Sequence, residues 1–125
     1  MTTGPSEFNV FIGSAGPATP GASVLNSVLI GAGVGISLTG GSNTALGSAA
    51  LPAAVASSNT VAIGKDALQN LGSGNNNIAV GQKAGGKNTA GAGNVYIGNA
   101  AGKSATGAED NQLYICLLYT SPSPR

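Results

Sequence analysis

The chain has 125 residues, 21 of them glycine, with no histidine, no tryptophan, 7% charged residues and a single cysteine. Without histidine it lacks the usual residues of zinc centres and of base-assisted nucleophilic catalysis. A formal charge of +1 offers no basic surface for a phosphate backbone, which argues against nucleic acid as a partner.

A short apolar segment ending in glycine recurs from one end to the other. In chain order the copies are NVFIG (Asn9–Gly13), NSVLIG (Asn26–Gly31), NTALG (Asn43–Gly47), NTVAIG (Asn59–Gly64), NIAVG (Asn77–Gly81), NVYIG (Asn94–Gly98) and NQLYI (Asn111–Ile115). The glycines stand at 13, 31, 47, 64, 81 and 98, in steps of 18, 16, 17, 17 and 17. A period this short marks a solenoid, with one supersecondary unit per coil. Disordered tracts are glycine-rich too, but they are poor in β-branched residues, and here Val and Ile recur in register.

Within each copy the alternate positions are large: Val10 and Ile12, Val28 and Ile30, Val61 and Ile63, Ile78 and Val80, Val95 and Ile97, Leu113 and Ile115. These residues share one face of a strand and are read as the core ladder, which only Thr44 and Leu46 soften. Phe11, Leu29, Ala45, Ala62, Ala79, Tyr96 and Tyr114 face the other way. That face is apolar too and small in the middle copies, so it is expected to pack closely against other chains.

The closing glycine suits a corner with positive φ, and the preceding asparagine a left-handed corner or a coil-to-coil hydrogen-bonded ladder. After the glycine, Ala50, Ala67, Ala84 and Ala101 mark a second, weaker segment, and a loose turn such as Leu71–Asn76 or Asn88–Gly93 closes the coil. Pro17, Pro20 and Pro52 make the first coils less regular. Each coil is thus expected to be two short strands and two corners in an all-β solenoid of about 17 residues per coil. A coil so thin is expected to be an obligate oligomer.

The longest apolar stretch, Val24–Leu38, is interrupted by Asn26, Ser27 and three glycines, so no direct membrane insertion is expected of this segment. No positive charge precedes Lys65, so Met1 is not expected to open a secretory signal. Beyond Ile115 the repeat stops. Residues 116–125, CLLYTSPSPR, resemble the translation of a transposase-type sequencing adapter and are set apart as a non-native tail. The repeat region is then residues 1–115, where Lys65, Lys83, Lys87 and Lys103 balance Glu7, Asp66, Glu109 and Asp110. Cys116 carries no redox or metal argument.

The NSVLIG and NTVAIG units resemble the repeat of trimeric autotransporter adhesin heads of the Yersinia adhesin type. GNNNIAVGQKAGGKNTAGAGNVYIGNAAG and the following NQLYI resemble repeats of phage tail fibres that precede a self-cleaving chaperone domain. The resemblance covers Asn9–Ile115 and is strongest from Asn59 onward. It implies a left-handed parallel β-roll, three of which pack around one axis as a homotrimer. It further implies a structural and adhesive role, presenting a surface to a host-cell glycan or protein. A virion tail fibre is favoured as the setting over the head of a bacterial cell-surface adhesin.

Other chemistries fit the residues less well. VLIGAGVG (Val28–Gly35) resembles a dinucleotide-binding loop, but Ile36 stands where the third glycine belongs and a turn follows. VYIGNAAGKSA (Val95–Ala105) resembles a P-loop, but Gly98 and Gly102 enclose three residues instead of four. A polysaccharide-degrading spike needs two carboxyls about 5–10 Å apart in a cleft, whereas Glu109 and Asp110 are neighbours in sequence. An ice-binding solenoid needs ranked threonines, and Thr39, Thr60, Thr89 and Thr106 share no register. Tyr96 and Tyr114 do share one and are read as interface packing, with a glycan- or protein-contact patch as the other reading.

No catalytic, metal or cofactor-binding residue is therefore expected, and the cofactor expectation is none. The residues expected to carry the repeat are Gly13, Gly31, Gly47, Gly64, Gly81 and Gly98, with Asn59, Asn77 and Asn94. Val61, Ile63, Ile78, Val80, Val95 and Ile97 complete the set.

Overall fold

A computed structural model describes residues 8–14, 24–103 and 105–115. Pro17, Pro20, Glu7 and the 116–125 tail lie outside the described residues. The seven repeats form seven three-residue strands: β1 (Val10–Ile12), β2 (Val28–Ile30), β3 (Thr44–Leu46), β4 (Val61–Ile63), β5 (Ile78–Val80), β6 (Val95–Ile97) and β7 (Leu113–Ile115). They pair in parallel, in sequence order, as one sheet. The register is uninterrupted: Val10, Val28, Thr44, Val61, Ile78, Val95 and Leu113 form one column. Phe11, Leu29, Ala45, Ala62, Ala79, Tyr96 and Tyr114 form the next. The chain is an all-β parallel solenoid, as the 17-residue period requires.

The second segment of each coil is not a strand. After the corner glycine the backbone alternates in handedness: φ is +127° at Gly64, +59° at Asp66 and +50° at Leu68, and +131°, +57° and +64° at Gly81, Lys83 and Gly85. Left-handed φ costs an ordinary residue about 1–2 kcal/mol. Hydrogen bonds between coils offset it: Asp66 N donates to Ser48 O at 3.0 Å and Leu68 N to Ala84 O at 2.9 Å. Amides at alternate positions thus reach backward and forward to neighbouring coils. None of the left-handed non-glycine residues described is β-branched, consistent with the crowding that a second Cβ substituent would bring.

The core also departs from the expected one. The column read as the oligomer face is the inside of the coil: Leu29, Ala45, Ala62 and Ala79 are wholly buried and Tyr96 nearly so. The Val and Ile columns read as core lie on the outside, with Val10, Ile12, Leu46, Ile97 and Ile115 all more than two-fifths exposed.

The small residues are small because the opposite wall is large. Ala45 shares its coil with buried Leu51, and Ala62 with buried Leu68. Where the strand brings a large residue the wall brings glycine: a Cβ on Gly35 would lie 2.8 Å from Leu29 Cδ1, and one on Gly102 would lie 2.5 Å from the Tyr96 ring. In the coil that is small on both walls, Ala79 and Gly85, the space is taken by Leu68 from below and Tyr96 from above, at 2.6 and 2.8 Å from a Cβ built on Gly85. Interiors tolerate neither voids nor excess volume, so large and small must alternate across the coil.

Candidate interaction surface

The strand columns divide the expected residues into two sets. Ile78, Val80 and Ile97 are exposed, and Val61, Ile63 and Val95 half-buried. With the equivalent residues of the other strands they form two apolar columns across all seven strands, interrupted only by Thr44. At about 4.8 Å per strand the columns run roughly 30 Å along the axis. Parallel sheets are normally covered on both faces; here the inner face is covered by the coil itself, and among the described residues nothing covers the outer one. A continuous apolar band of this kind makes the outer face the candidate interaction surface.

The asparagines also separate. Asn77 and Asn94 are buried one residue before their strands, in one column with Asn9, Ser27, Asn43, Thr60 and Gln112. Asn77 Nδ2 donates to Gly91 O at 2.8 Å while its Oδ1 accepts from Asn94 N at 3.0 Å. Asn94 repeats this one coil on, with Glu109 O at 2.7 Å and Gln112 N at 2.8 Å. Asn43 does the same with Ser57 O and Thr60 N. Asn59 belongs elsewhere. It is exposed, two residues before its strand, with φ +56°, in register with Asn26, Ser42, Asn76 and Asn111 at φ 53° to 61°. One asparagine signature in the repeat therefore covers two jobs, a buried ladder and a left-handed corner.

The six corner glycines, Gly13, Gly31, Gly47, Gly64, Gly81 and Gly98, all have positive φ, from +92° to +139°. Gly81 shows why no side chain fits: its Cβ would stand 2.5 Å from the carbonyl oxygen of Gly98.

The C-terminal coil is fastened by Glu109. Its carboxylate accepts from Thr106 Oγ1 at 3.0 Å and from the Tyr114 hydroxyl, while Asp110 Oδ1 accepts from Ala92 N at 2.7 Å. The Tyr114 bond, then the Thr106 bond, hold the Glu109 carboxyl below its ordinary range. The Tyr114 ring stacks on Tyr96 with centroids 5.3 Å apart and planes within 4°. Burial first, then the neighbouring Tyr114 and Glu109, push the Tyr96 phenol up to about 12. Tyr96 is thus interior rather than at a chain surface, and Tyr114 lies half-buried at the end of the same column.

The two nucleotide-like segments are repeat corners. Val28–Gly35 is β2 followed by turns, and Val95–Lys103 is β6 followed by turns, with no helix in either. Among the described residues no group of three or more acidic, histidine or cysteine side chains could hold a metal ion. No helix is long and apolar enough to cross a membrane among these residues. Compared with family models, curated proteins and solved structures, the chain matches none of them, so the arrangement of its own residues is what bears on function.

Proposed function

We propose that this chain is the structural and adhesive segment of a homotrimeric fibre, a virion tail fibre of the kind its repeats resemble, which presents a host-surface binding region. The observation that carries the reading is the bare outer face of the parallel sheet. Val, Ile and Leu stand in two exposed columns over seven strands, a surface suited to burial against the same face of further copies. A repeating surface favours closed association of identical chains, and three is the number that the adhesin and tail-fibre resemblance implies.

The polar groups suit a mechanical role. Asparagine side chains tie coil to coil at most steps, with Ser27 in that place between β2 and β3. The carboxylates of Glu109 and Asp110 hold backbone and hydroxyl donors of the last coil. The chain acts here as a shaft rather than an enzyme, and attachment gains strength from repetition of weak contacts across three copies.

Sedimentation equilibrium of the full chain tests the reading. Three protomers are expected, with Val80→Lys/Ile97→Lys sedimenting as a folded monomer. A parent chain that stays monomeric up to high micromolar concentration would overturn it.

A further inference from the structure

All four lysines of the repeat region lie between positions 65 and 103, and three of them line one groove. The groove has a volume of about 310 Å³, at the small end of the range for ligand pockets, and none of its lining residues belongs to a strand. Lys83 and Lys87 come from the coil of β5 and Lys103 from the coil of β6. Gln69 and Asn70, from the coil of β4, form the other wall.

The groove exists because one repeat position lacks a side chain. Gln69, Gly86 and Lys103 each stand five residues after their corner glycine, so they stack in one column with a gap in the middle. Gln69 Nε2 lies 3.5 Å from the place a Cβ of Gly86 would occupy, and Asn70 Nδ2 donates to Gly86 O at 2.6 Å. Two amides therefore flank the gap and three exposed ammonium groups surround it.

The lining carries no carboxylate. Of the other described carboxylates, Glu109 and Asp110 are engaged in the last coil, and Asp66, at the repeat position of Lys83 one coil earlier, stands outside the lining. Like charges held around one depression repel each other, and an anion placed among them relieves that repulsion.

We propose that this groove binds an acidic saccharide, its carboxylate or sulfate groups among Lys83, Lys87 and Lys103 and its hydroxyls on the Gln69 and Asn70 amides. Three coils give about 10 Å of groove along the axis, enough for a short saccharide segment and not for an extended polyelectrolyte track. Nucleic acid is the weaker fit: no aromatic face in the lining can stack a base, and three lysines fall short of the phosphate contacts that hold a strand. Acidic peptides are recognised by basic clusters as well, but chiefly of arginines that grip carboxylates bidentately; the groove offers lysines alone, with no strand edge or apolar anchor pocket beside them. The inference narrows the glycan side of the attachment reading but does not rest on assembly, because no strand residue contributes to it.

The test is calorimetric titration of the full chain with oligogalacturonate, with a heparin-derived oligosaccharide, with neutral maltohexaose and with oligothymidylate. Binding of one or both acidic saccharides, and not of maltohexaose, is expected. Oligogalacturonate bears carboxylates alone and heparin both groups, so binding of the first shows that carboxylates suffice and binding of heparin alone that sulfate is required. Exposed charge pairs contribute a factor of a few each, so K83Q/K87Q/K103Q should weaken binding about ten- to a hundredfold and K65Q less than about twofold. Gln69→Glu, which puts a carboxylate into the groove and keeps every lysine, should also weaken it severalfold. Failure of both acidic saccharides to bind would overturn the proposal. So would undiminished binding by the triple variant, or tighter binding of oligothymidylate with the same lysine dependence. Any of these results would leave the sedimentation behaviour of the parent untouched.

Discussion

The two faces of each strand differ in a way opposite to the usual one. Asn77 and Ala79 point inward, one polar and one small, and both are wholly buried; Ile78 and Val80 point outward, and both are more than a third exposed. A wide sandwich fills its interior with large branched residues, whereas this coil is too narrow for them on both walls. Opposite a strand alanine the other wall brings a leucine, as Leu51 and Leu68 do, and opposite Leu29 or Tyr96 it brings glycine. The Ala79 coil is filled by Leu68 and Tyr96 of its neighbours. Hydrophobic size therefore does not mark the inside of a thin solenoid. What marks it is a polar residue whose every group can be satisfied by the next coil, as Asn77 is by Gly91 and Asn94.

The corners should break the inner side most severely. Gly81→Val sets a β-branched side chain at φ +131° and against the Gly98 carbonyl, so a loss of about 3–5 kcal/mol is expected. Circular dichroism melting would show it as loss of the cooperative transition; a variant as stable as its parent would count against the corner account.

The two asparagine positions sharpen the contrast. Asn77→Ala removes the partner of the buried Asn94 amide and leaves the Gly91 carbonyl with Asn88 Nδ2 alone, and should cost about 1–3 kcal/mol. Asn59→Ala changes only a left-handed corner, where Ala49 and Ala100 already take φ +53° elsewhere in the chain, and should cost under about 1 kcal/mol. Equal losses in urea titrations of the two variants would mean that the ladder has been misplaced.

The smallest expected effect is on pH. The Glu109 carboxyl sits below its ordinary value of 4.5 because Tyr114 and Thr106 donate to its charged form. Its folded value is thus the lower one. Its contribution is complete above about 4.5 and is lost as the pH falls through the lowered value. The near-ultraviolet dichroism of the stacked Tyr96 and Tyr114 should weaken below about pH 4.5 in the parent. In Glu109→Gln that step should be absent, and an identical profile in both would exclude Glu109 as its source.

Much of this fold was legible in the repeat. The period gave coil length, strand positions, parallel register and the glycine corners, because each depends on local backbone geometry that recurs identically. Which strand face was inside was not legible, since both faces of NIAVG are apolar and alternation alone has no sign. The clue lay across the coil rather than along the strand. Leu51 and Leu68 accompany Ala45 and Ala62, and Gly102 accompanies Tyr96, a compensation visible only once opposite walls are known. The turns after each glycine were read as strands because nothing in Ala-Leu or Gln-Lys marks Leu68 or Lys83 as left-handed; coil-to-coil hydrogen bonds impose that conformation. The lysine groove is likewise invisible along the chain, because its residues span 34 positions of sequence and only stacking gathers them.

The most direct test of the inside-outside assignment uses two adjacent residues. Ala79→Glu places a carboxylate in the closed interior, and Val80→Glu places one on the outer face. Measured side by side by thermal dichroism, Val80→Glu should keep the β signature and a cooperative melt, while Ala79→Glu should have neither. A folded Ala79→Glu beside an unfolded Val80→Glu would contradict the account.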